Sequence, residues 1–138
     1  MRRHPALREL SSEHHSGLVL ARKARQAATG DVDEQREVWN GLVARFRTEL
    51  DGHFRREEDG LLVLMWKAGE RLLVERTLAE HDDMRAMVAL DDSGNLAHFA
   101  DLLSDHIRFE EQELFQRAQE LLDLDRLDGL GSGTTELA

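Results

Sequence analysis

The chain of 138 residues lacks cysteine and tyrosine, and its one proline is Pro5. Without cysteine it cannot form a disulfide framework, a thiolate zinc site, an iron–sulfur cluster or a cysteine nucleophile. β-branched residues are few and never alternate, and glycine is sparse in the periodic stretches, which favours an all-α fold. No apolar run approaches the ~20 residues of a membrane span. The first fifteen residues lack the apolar segment of a signal peptide, so we expect a soluble cytoplasmic protein.

Acidic residues outnumber basic ones by 28 to 18, and the resulting net charge of −10 argues against a nucleic-acid-binding surface. Hydrophobic residues make up 41% of the chain, which is enough for one packed core and excludes wholesale disorder. The length fits a single domain, which we expect to occupy residues 1–125. Residues 126–138 are mostly small and polar, and we expect them to form a flexible C-terminal tail.

Turn-forming residues interrupt the helical pattern three times and leave four candidate helices. The helices are predicted to span residues 12–28, 33–65, 71–90 and 96–122. We expect Ser11 or Ser12 to cap the first helix, and the second helix to be kinked near Gly60. Four helices with short connections predict an antiparallel up-down four-helix bundle.

Each predicted helix carries a histidine on its own apolar stripe, with apolar residues before and after it. The first stripe, for example, runs through Leu10, His14, Leu18 and Ala21. The polar residues on the other three stripes are His53 with Glu57, His81, and His106 with Glu110. An unpaired buried carboxylate costs several kcal/mol or becomes protonated, so this pattern requires a compensating partner.

Bound metal ions would supply that compensation. Residues i and i+4 lie ~5–6 Å apart on one helix face, so each HxxxE pair directs a nitrogen and a carboxylate to one site. Both pairs belong to a longer pattern, HFRREE at 53–58 and HIRFEE at 106–111. Four imidazoles and two carboxylates suit two ions bridged by the carboxylates, about 3.5–4 Å apart. Such donors, without a thiolate, favour iron, manganese or zinc over copper(I).

The sequence resembles the hemerythrin-like, or HHE cation-binding, domain family from about Leu10 to Leu122. The segments that carry the resemblance are LSSEHHSGLVLAR, HFRREEDGLL, LAEHDDM and HIRFEEQELF. The resemblance implies a hemerythrin-like four-helix bundle around two non-haem iron ions, oxo- or hydroxo-bridged, with two bridging carboxylates and with manganese or zinc as alternative metals. Matched motif by motif, the implied metal ligands are His14, His53, Glu57, His81, His106 and Glu110.

Two departures from the oxygen-carrying members argue against stoichiometric oxygen carriage. The carriers have a second histidine one turn along the third helix, where this sequence has Thr77 on one side of His81 and Arg85 on the other. Their last carboxylate is an aspartate at i+5, whereas this chain has a glutamate at i+4. The ligand set is more similar to the bacterial iron-repair and nitric-oxide-responsive members, and it leaves more coordination positions for water or small ligands.

Neighbouring polar residues have simpler interpretations. His15 is the alternative ligand on the first helix, although it shares its face with Ser12 and Arg22, and we prefer His14. We expect His98 to be exposed. Arg85 is expected to be solvated, with contact to a carboxylate as the alternative. The same solvated environment is predicted for Glu58 and Glu111, with a hydrogen bond to a ligand as the alternative for Glu58.

Three functions fit these observations. The preferred one is a di-iron domain that binds or senses O2, NO, peroxide or iron and signals through an unknown protein partner. The second is a redox enzyme that scavenges peroxide or NO, or donates iron to damaged iron centres. The third is a structural bundle with vestigial histidines. Because tyrosine is absent and no further buried carboxylate is evident, enzyme activity stays undecided. We expect a small diatomic or peroxide ligand, no nucleic acid or membrane, and a monomer or weak homo-oligomer.

Overall fold

The computed structural model describes residues 3–124, and within this range the chain forms helices and no strand. The four helices are α1 (Pro5–Ala27), α2 (residues 32–67), α3 (Arg71–Leu90) and α4 (residues 96–121). The all-α prediction is confirmed, and the last three helices end within two residues of their predicted limits. None of the helices in this range is long and apolar enough to cross a membrane. The predicted tail at 126–138 lies outside the described residues.

Helix α1 begins at Pro5, well before the predicted start, so the prediction of Ser11 or Ser12 as its N-cap is wrong. Proline suits the first turn of a helix because its missing N–H would have no intrahelical partner there. The imidazole of His4 caps the helix instead, by accepting a hydrogen bond from the backbone N–H of Ala6 at 3.0 Å. Histidine is an uncommon cap, which explains why the sequence pattern did not show this start.

Helices α2 and α4 contain π turns, in which a backbone N–H binds the carbonyl five residues earlier. In α2 these turns are Phe46–Leu50 and Glu57–Leu61, and in α4 the turn is Glu110–Leu114. The second turn contains Gly60, near which the sequence predicts a kink of α2. Two of the three turns begin at a glutamate that the sequence predicts as a metal ligand.

Short connections join the helices into an antiparallel bundle. The side chain of Asp31 caps α2 by accepting a hydrogen bond from the N–H of Glu34 at 2.8 Å. Gly69, with φ of 94°, lies in the turn between α2 and α3, and Asp91, with φ of 54°, ends α3. Helices α1 and α3 each pack against α2 and α4. The helices therefore form a ring in chain order.

The apolar core consists of two clusters, one toward each end of the bundle. One cluster contains Trp39, Phe46 and Phe99, and the other contains Leu7 and Phe115. On every helix the predicted ligand histidine falls between the stretches that supply these two clusters, or at their boundary. A layer of buried polar residues therefore crosses the middle of the bundle, as the interrupted stripes predict.

One position of the α1 stripe differs from the prediction. Leu18 is 40% exposed, whereas Gly17 is buried against Ile107 of α4. A Cβ atom at Gly17 would lie 2.7 Å from Ile107 Cδ1, so the absence of a side chain lets α1 and α4 approach closely. With 3.6 residues per turn, either the third or the fourth residue after His14 can face the core, and the packing of Ile107 selects the third.

Candidate metal centre

The six residues that the sequence predicts as metal ligands come together in the middle of the bundle. Glu57, His81 and Glu110 have no exposed surface, and His14 is the most exposed of the six at 6%. The neighbouring His15 is exposed. Of the two candidates on α1, His14 is therefore the one that faces the other five residues. His98 is exposed as expected.

The candidate ligand atoms form two groups, each containing two histidines and both glutamates. In the first group, here called subsite 1, the Nε2 atoms of His14 and His53 lie 2.7 and 3.9 Å from Glu110 Oε1. His53 Nε2 also lies 3.4 Å from Glu57 Oε2. His81 and His106 face the other oxygen of each glutamate.

In the second group, subsite 2, the Nε2 atom of His81 lies 3.1 Å from Glu57 Oε1. His106 Nε2 lies 3.1 Å from Glu110 Oε2. Each carboxylate therefore presents one oxygen to the histidines of subsite 1 and the other oxygen to those of subsite 2. This is the arrangement that a carboxylate needs in order to bridge two metal ions.

Several of these atoms are buried without a hydrogen bond from any residue that the structure describes. They are Nε2 of His53, His81 and His106, both oxygens of Glu57, and Oε2 of Glu110. Leaving a buried polar atom unpaired costs about 1–3 kcal/mol, and more when the group is charged. Imidazole nitrogens and carboxylate oxygens are also the ligands that iron, manganese and zinc accept. The residues present therefore fit a pair of metal ions.

Glu58 and Glu111 lie at the site, which makes the prediction that both are simply solvated wrong. Glu58 Oε2 lies 2.7 Å from His81 Nδ1, and Glu111 Oε2 lies 2.6 Å from His14 Nδ1. Arg85 was also expected to be solvated, but its guanidinium donates hydrogen bonds to both oxygens of Glu58, at 2.8 and 3.1 Å. Each glutamate follows a helix stripe by one residue, so its side chain reaches the adjacent helix.

Sequence analysis missed two further glutamates at the site. Glu13 Oε1 lies 2.8 Å from His53 Nδ1, and Glu80 Oε1 lies 2.7 Å from His106 Nδ1. A signal for them was present, because each of the four added glutamates directly adjoins a predicted ligand in the sequence. The adjoining pairs are Glu13 and His14, Glu57 and Glu58, Glu80 and His81, and Glu110 and Glu111.

Thr77 and Arg85, which flank His81 on α3, direct their side chains to other partners. The hydroxyl of buried Thr77 donates a hydrogen bond to the carbonyl of Leu73 at 2.7 Å. Arg85 donates to Asp51 Oδ1 at 2.8 Å in addition to its contacts with Glu58. The described part of α3 therefore contributes His81 alone to the two groups of candidate ligand atoms.

The carboxylates raise the pKa of the two histidines of subsite 2. Burial lowers the pKa of His81, but contacts with Glu110 and Glu57 outweigh this effect and raise the pKa to about 10. Burial also lowers the pKa of His106, whereas the charge and contact of Glu110 and the hydrogen bond to Glu80 raise it to about 9. Without metal, these imidazoles therefore stay protonated at pH values well above the usual pKa of histidine.

A cavity of about 410 Å³ connects the surface to subsite 1. Its lining includes exposed Thr48, the buried His14 and His53 of subsite 1, and the buried His106 of subsite 2. Leu103 and Ile107 supply apolar parts of the lining. The cavity is thus large enough for a small molecule to reach the ligand atoms of subsite 1.

Of three comparisons with known proteins, one gives a match. No curated protein and no solved structure matches the chain. The Hemerythrin HHE cation binding domain family matches residues 5–118. The match begins with α1, ends within α4 and includes all six candidate ligands. The chain therefore belongs to the hemerythrin HHE cation-binding domain family.

Proposed function

We propose that the protein holds two non-haem metal ions, iron in the cell, in subsites 1 and 2. His14 and His53 bind one ion, His81 and His106 bind the other, and Glu57 and Glu110 bridge them. The observation that carries this proposal is the orientation of the two glutamates, whose paired oxygens face opposite pairs of histidines. The orphaned buried atoms support it, because bound cations would compensate them.

We further propose that a small diatomic or peroxide ligand reaches the centre through the cavity beside subsite 1. A redox-active metal pair supplies electrons and exchangeable coordination positions to such a ligand. Leu103 and Ile107 make part of the passage apolar, and its volume suits a small ligand. Its lining also contains the charged side chains of Glu13, Arg45, Glu49 and Arg56. Phe54 also lines this cavity, and its ring stacks on His81 with the ring centroids 4.0 Å apart.

Binding and sensing fit the site better than turnover. General acid–base catalysis needs a side chain that is free to exchange a proton with the ligand. The chain has no tyrosine. Four further glutamates beside the site are each engaged by a histidine, namely Glu13, Glu58, Glu80 and Glu111. Glu57 and Glu110 are the first residues of π turns, so a change in their ligation acts directly on the backbone of α2 and α4.

The test is anaerobic titration of the metal-free protein with ferrous iron, followed by rapid mixing with O2, NO or hydrogen peroxide. We expect two equivalents of iron per chain and a spectral change that saturates at a fixed ligand stoichiometry. Continued consumption of peroxide or NO over many equivalents would favour the redox enzyme. Failure to bind iron would contradict both functions and favour a structural bundle.

A further inference from the structure

The outward-facing Nδ1 atom of each candidate ligand histidine contacts a glutamate of a neighbouring helix. We call these four glutamates the outer carboxylates. The distances from Nδ1 to the carboxylate oxygen are 2.8 Å for His53 with Glu13, 2.7 Å for His81 with Glu58, 2.7 Å for His106 with Glu80 and 2.6 Å for His14 with Glu111.

These contacts follow a single rule around the bundle. The outer carboxylate of α1 contacts the histidine of α2, that of α2 contacts the histidine of α3, and that of α3 contacts the histidine of α4. The outer carboxylate of α4 contacts the histidine of α1 and closes the ring. Each helix therefore supplies one histidine to the centre and one carboxylate that holds the histidine of an adjacent helix.

Each outer carboxylate also accepts a hydrogen bond from an arginine. The shortest nitrogen–oxygen distances are 2.7 Å for Arg56 with Glu13, 2.8 Å for Arg85 with Glu58, 3.0 Å for Arg76 with Glu80 and 3.1 Å for Arg3 with Glu111. The arginines compensate the charge of the outer carboxylates. When the four imidazoles are neutral, as metal ligands must be, the remaining negative charge at the centre is that of the two bridging candidates, Glu57 and Glu110.

An ionised carboxylate accepts hydrogen bonds and donates none, so a neutral imidazole that contacts it carries its proton on Nδ1. The lone pair of Nε2 then points to the centre of the bundle. We infer that the outer carboxylates are positioning residues, which fix all four imidazoles as Nε2 ligands and hold the rings in the plane that the two subsites require. This inference rests on the proposed metal centre.

A purely structural role would not require this uniform geometry. Ion pairs that only join helices at a surface contribute ~0–1 kcal/mol and have no reason to select one ring nitrogen. Here all four contacts are made to Nδ1, while every Nε2 faces Glu57 or Glu110. Carboxylates in this position typically change metal affinity 10–100-fold when they are removed.

The test uses Zn²⁺, which is diamagnetic and allows imidazole nitrogens to be observed by NMR. The variant Glu80→Ala removes the partner of His106, and Glu80→Gln keeps an amide oxygen that can accept from Nδ1–H. Glu120→Ala is the matched control, because Glu120 pairs with Arg117 at 3.3 Å on the surface. Zinc affinity is measured by competition with a chelator, and proton–nitrogen correlation spectra report the state of each histidine ring.

We expect Glu80→Ala to lower zinc affinity 10–100-fold and to shift the ring resonances of His106 alone. Glu80→Gln should lose less affinity, and it decides the matter if the alanine variant does not fold. Glu120→Ala should match the parent protein. If the parent binds two zinc ions but both Glu80 variants bind them equally well, with unchanged His106 resonances, the inference is wrong. If the parent binds no zinc, the proposed metal centre is wrong as well.

Discussion

Each candidate ligand histidine is held by contacts from neighbouring helices, as His81 shows. Its ring stacks on Phe54 of α2 and its Nδ1 contacts Glu58 of α2, while its Nε2 lies 3.1 Å from Glu57 of α2 and 3.6 Å from Glu110 of α4. Removal of such a ring leaves the surrounding carboxylates buried without their partner. The same side chains that would bind metal therefore also determine how much the polar layer costs when the metal is absent.

A histidine variant tests this coupling at a single position. His106→Ala removes a candidate ligand and leaves Glu80 and Glu110 without it, so we expect loss of bound metal and a fall of about 1–3 kcal/mol in the free energy of unfolding. Metal analysis and urea denaturation measure the two effects. The control is His98→Ala, which replaces an exposed histidine of the same helix and should change neither. Full metal occupancy and stability in the His106 variant would contradict the ligand assignment.

The raised pKa values predict how the stability of the metal-free protein depends on pH. The folded protein keeps protons on His81 up to a pKa of about 10 and on His106 up to about 9. Unfolded histidines lose them at about pH 6.5. The folded state therefore binds more protons in this window, and stability should fall as the pH rises from about 6.5 to 10. Urea denaturation with a chelator measures it, and an increase in stability over this range would contradict the assignment.

The sequence predicts contacts that are local and misses contacts between helices. His106 and Glu110 were predicted together because a spacing of four residues places them on one helix face. Glu80 and His106 are separated by 26 positions, and their contact depends on how α3 packs against α4. The apolar stripe also does not show the direction of a glutamate side chain that lies beside it. Glu58, for example, points to His81 of the adjacent helix.

At the level of helices, the sequence correctly predicts those helix ends at which glycine or aspartate forms a turn. Gly69 and Asp91 adopt positive φ values at two of these ends, which such residues tolerate. The start of α1 was missed because a histidine caps it. The π turns were not predicted either, because the extra residue in each turn has no residue-type signature in the sequence.

The close approach of α1 and α4 can be tested with a pair of glycine variants. Gly41 has open space around it, so Gly41→Ala should raise the free energy of unfolding by about 0.5–1 kcal/mol through helix propensity. Gly17→Ala should gain less or lose stability, because its Cβ would displace Ile107.

Gly17 and Ile107 also line the cavity beside subsite 1. We therefore expect Gly17→Ala to slow the association of a small ligand with the iron-loaded protein without changing the iron content. Rapid mixing with NO measures the rate, with Gly41→Ala as the reference. Equal association rates in the two variants would argue against this route to the centre.

At the level of the whole molecule, the polar layer divides the apolar core, and bound metal would compensate its buried charges. The two apolar clusters pack at the ends of the bundle, and the histidines and glutamates occupy the space between them. The fold class and the layer of candidate ligands can be predicted from the helical periodicity of the sequence. The division of those ligands into two subsites depends on side-chain directions that only packing determines.

Removal of metal should therefore destabilise the whole bundle. A ligand present at 100 times its dissociation constant stabilises the folded state by about 2.7 kcal/mol, so two bound ions should raise the melting temperature clearly. Thermal unfolding with a chelator and with added ferrous iron under anaerobic conditions measures the difference. A structural bundle with vestigial histidines would melt at the same temperature in both.

The most direct test of the central claim is a crystal structure of the iron-loaded protein with anomalous data collected at the iron edge. We expect two anomalous peaks about 3.5–4 Å apart, both in contact with Glu57 and Glu110. One peak should lie beside His14 and His53, and the other beside His81 and His106. A single peak, or peaks away from these two glutamates, would contradict the carboxylate-bridged centre.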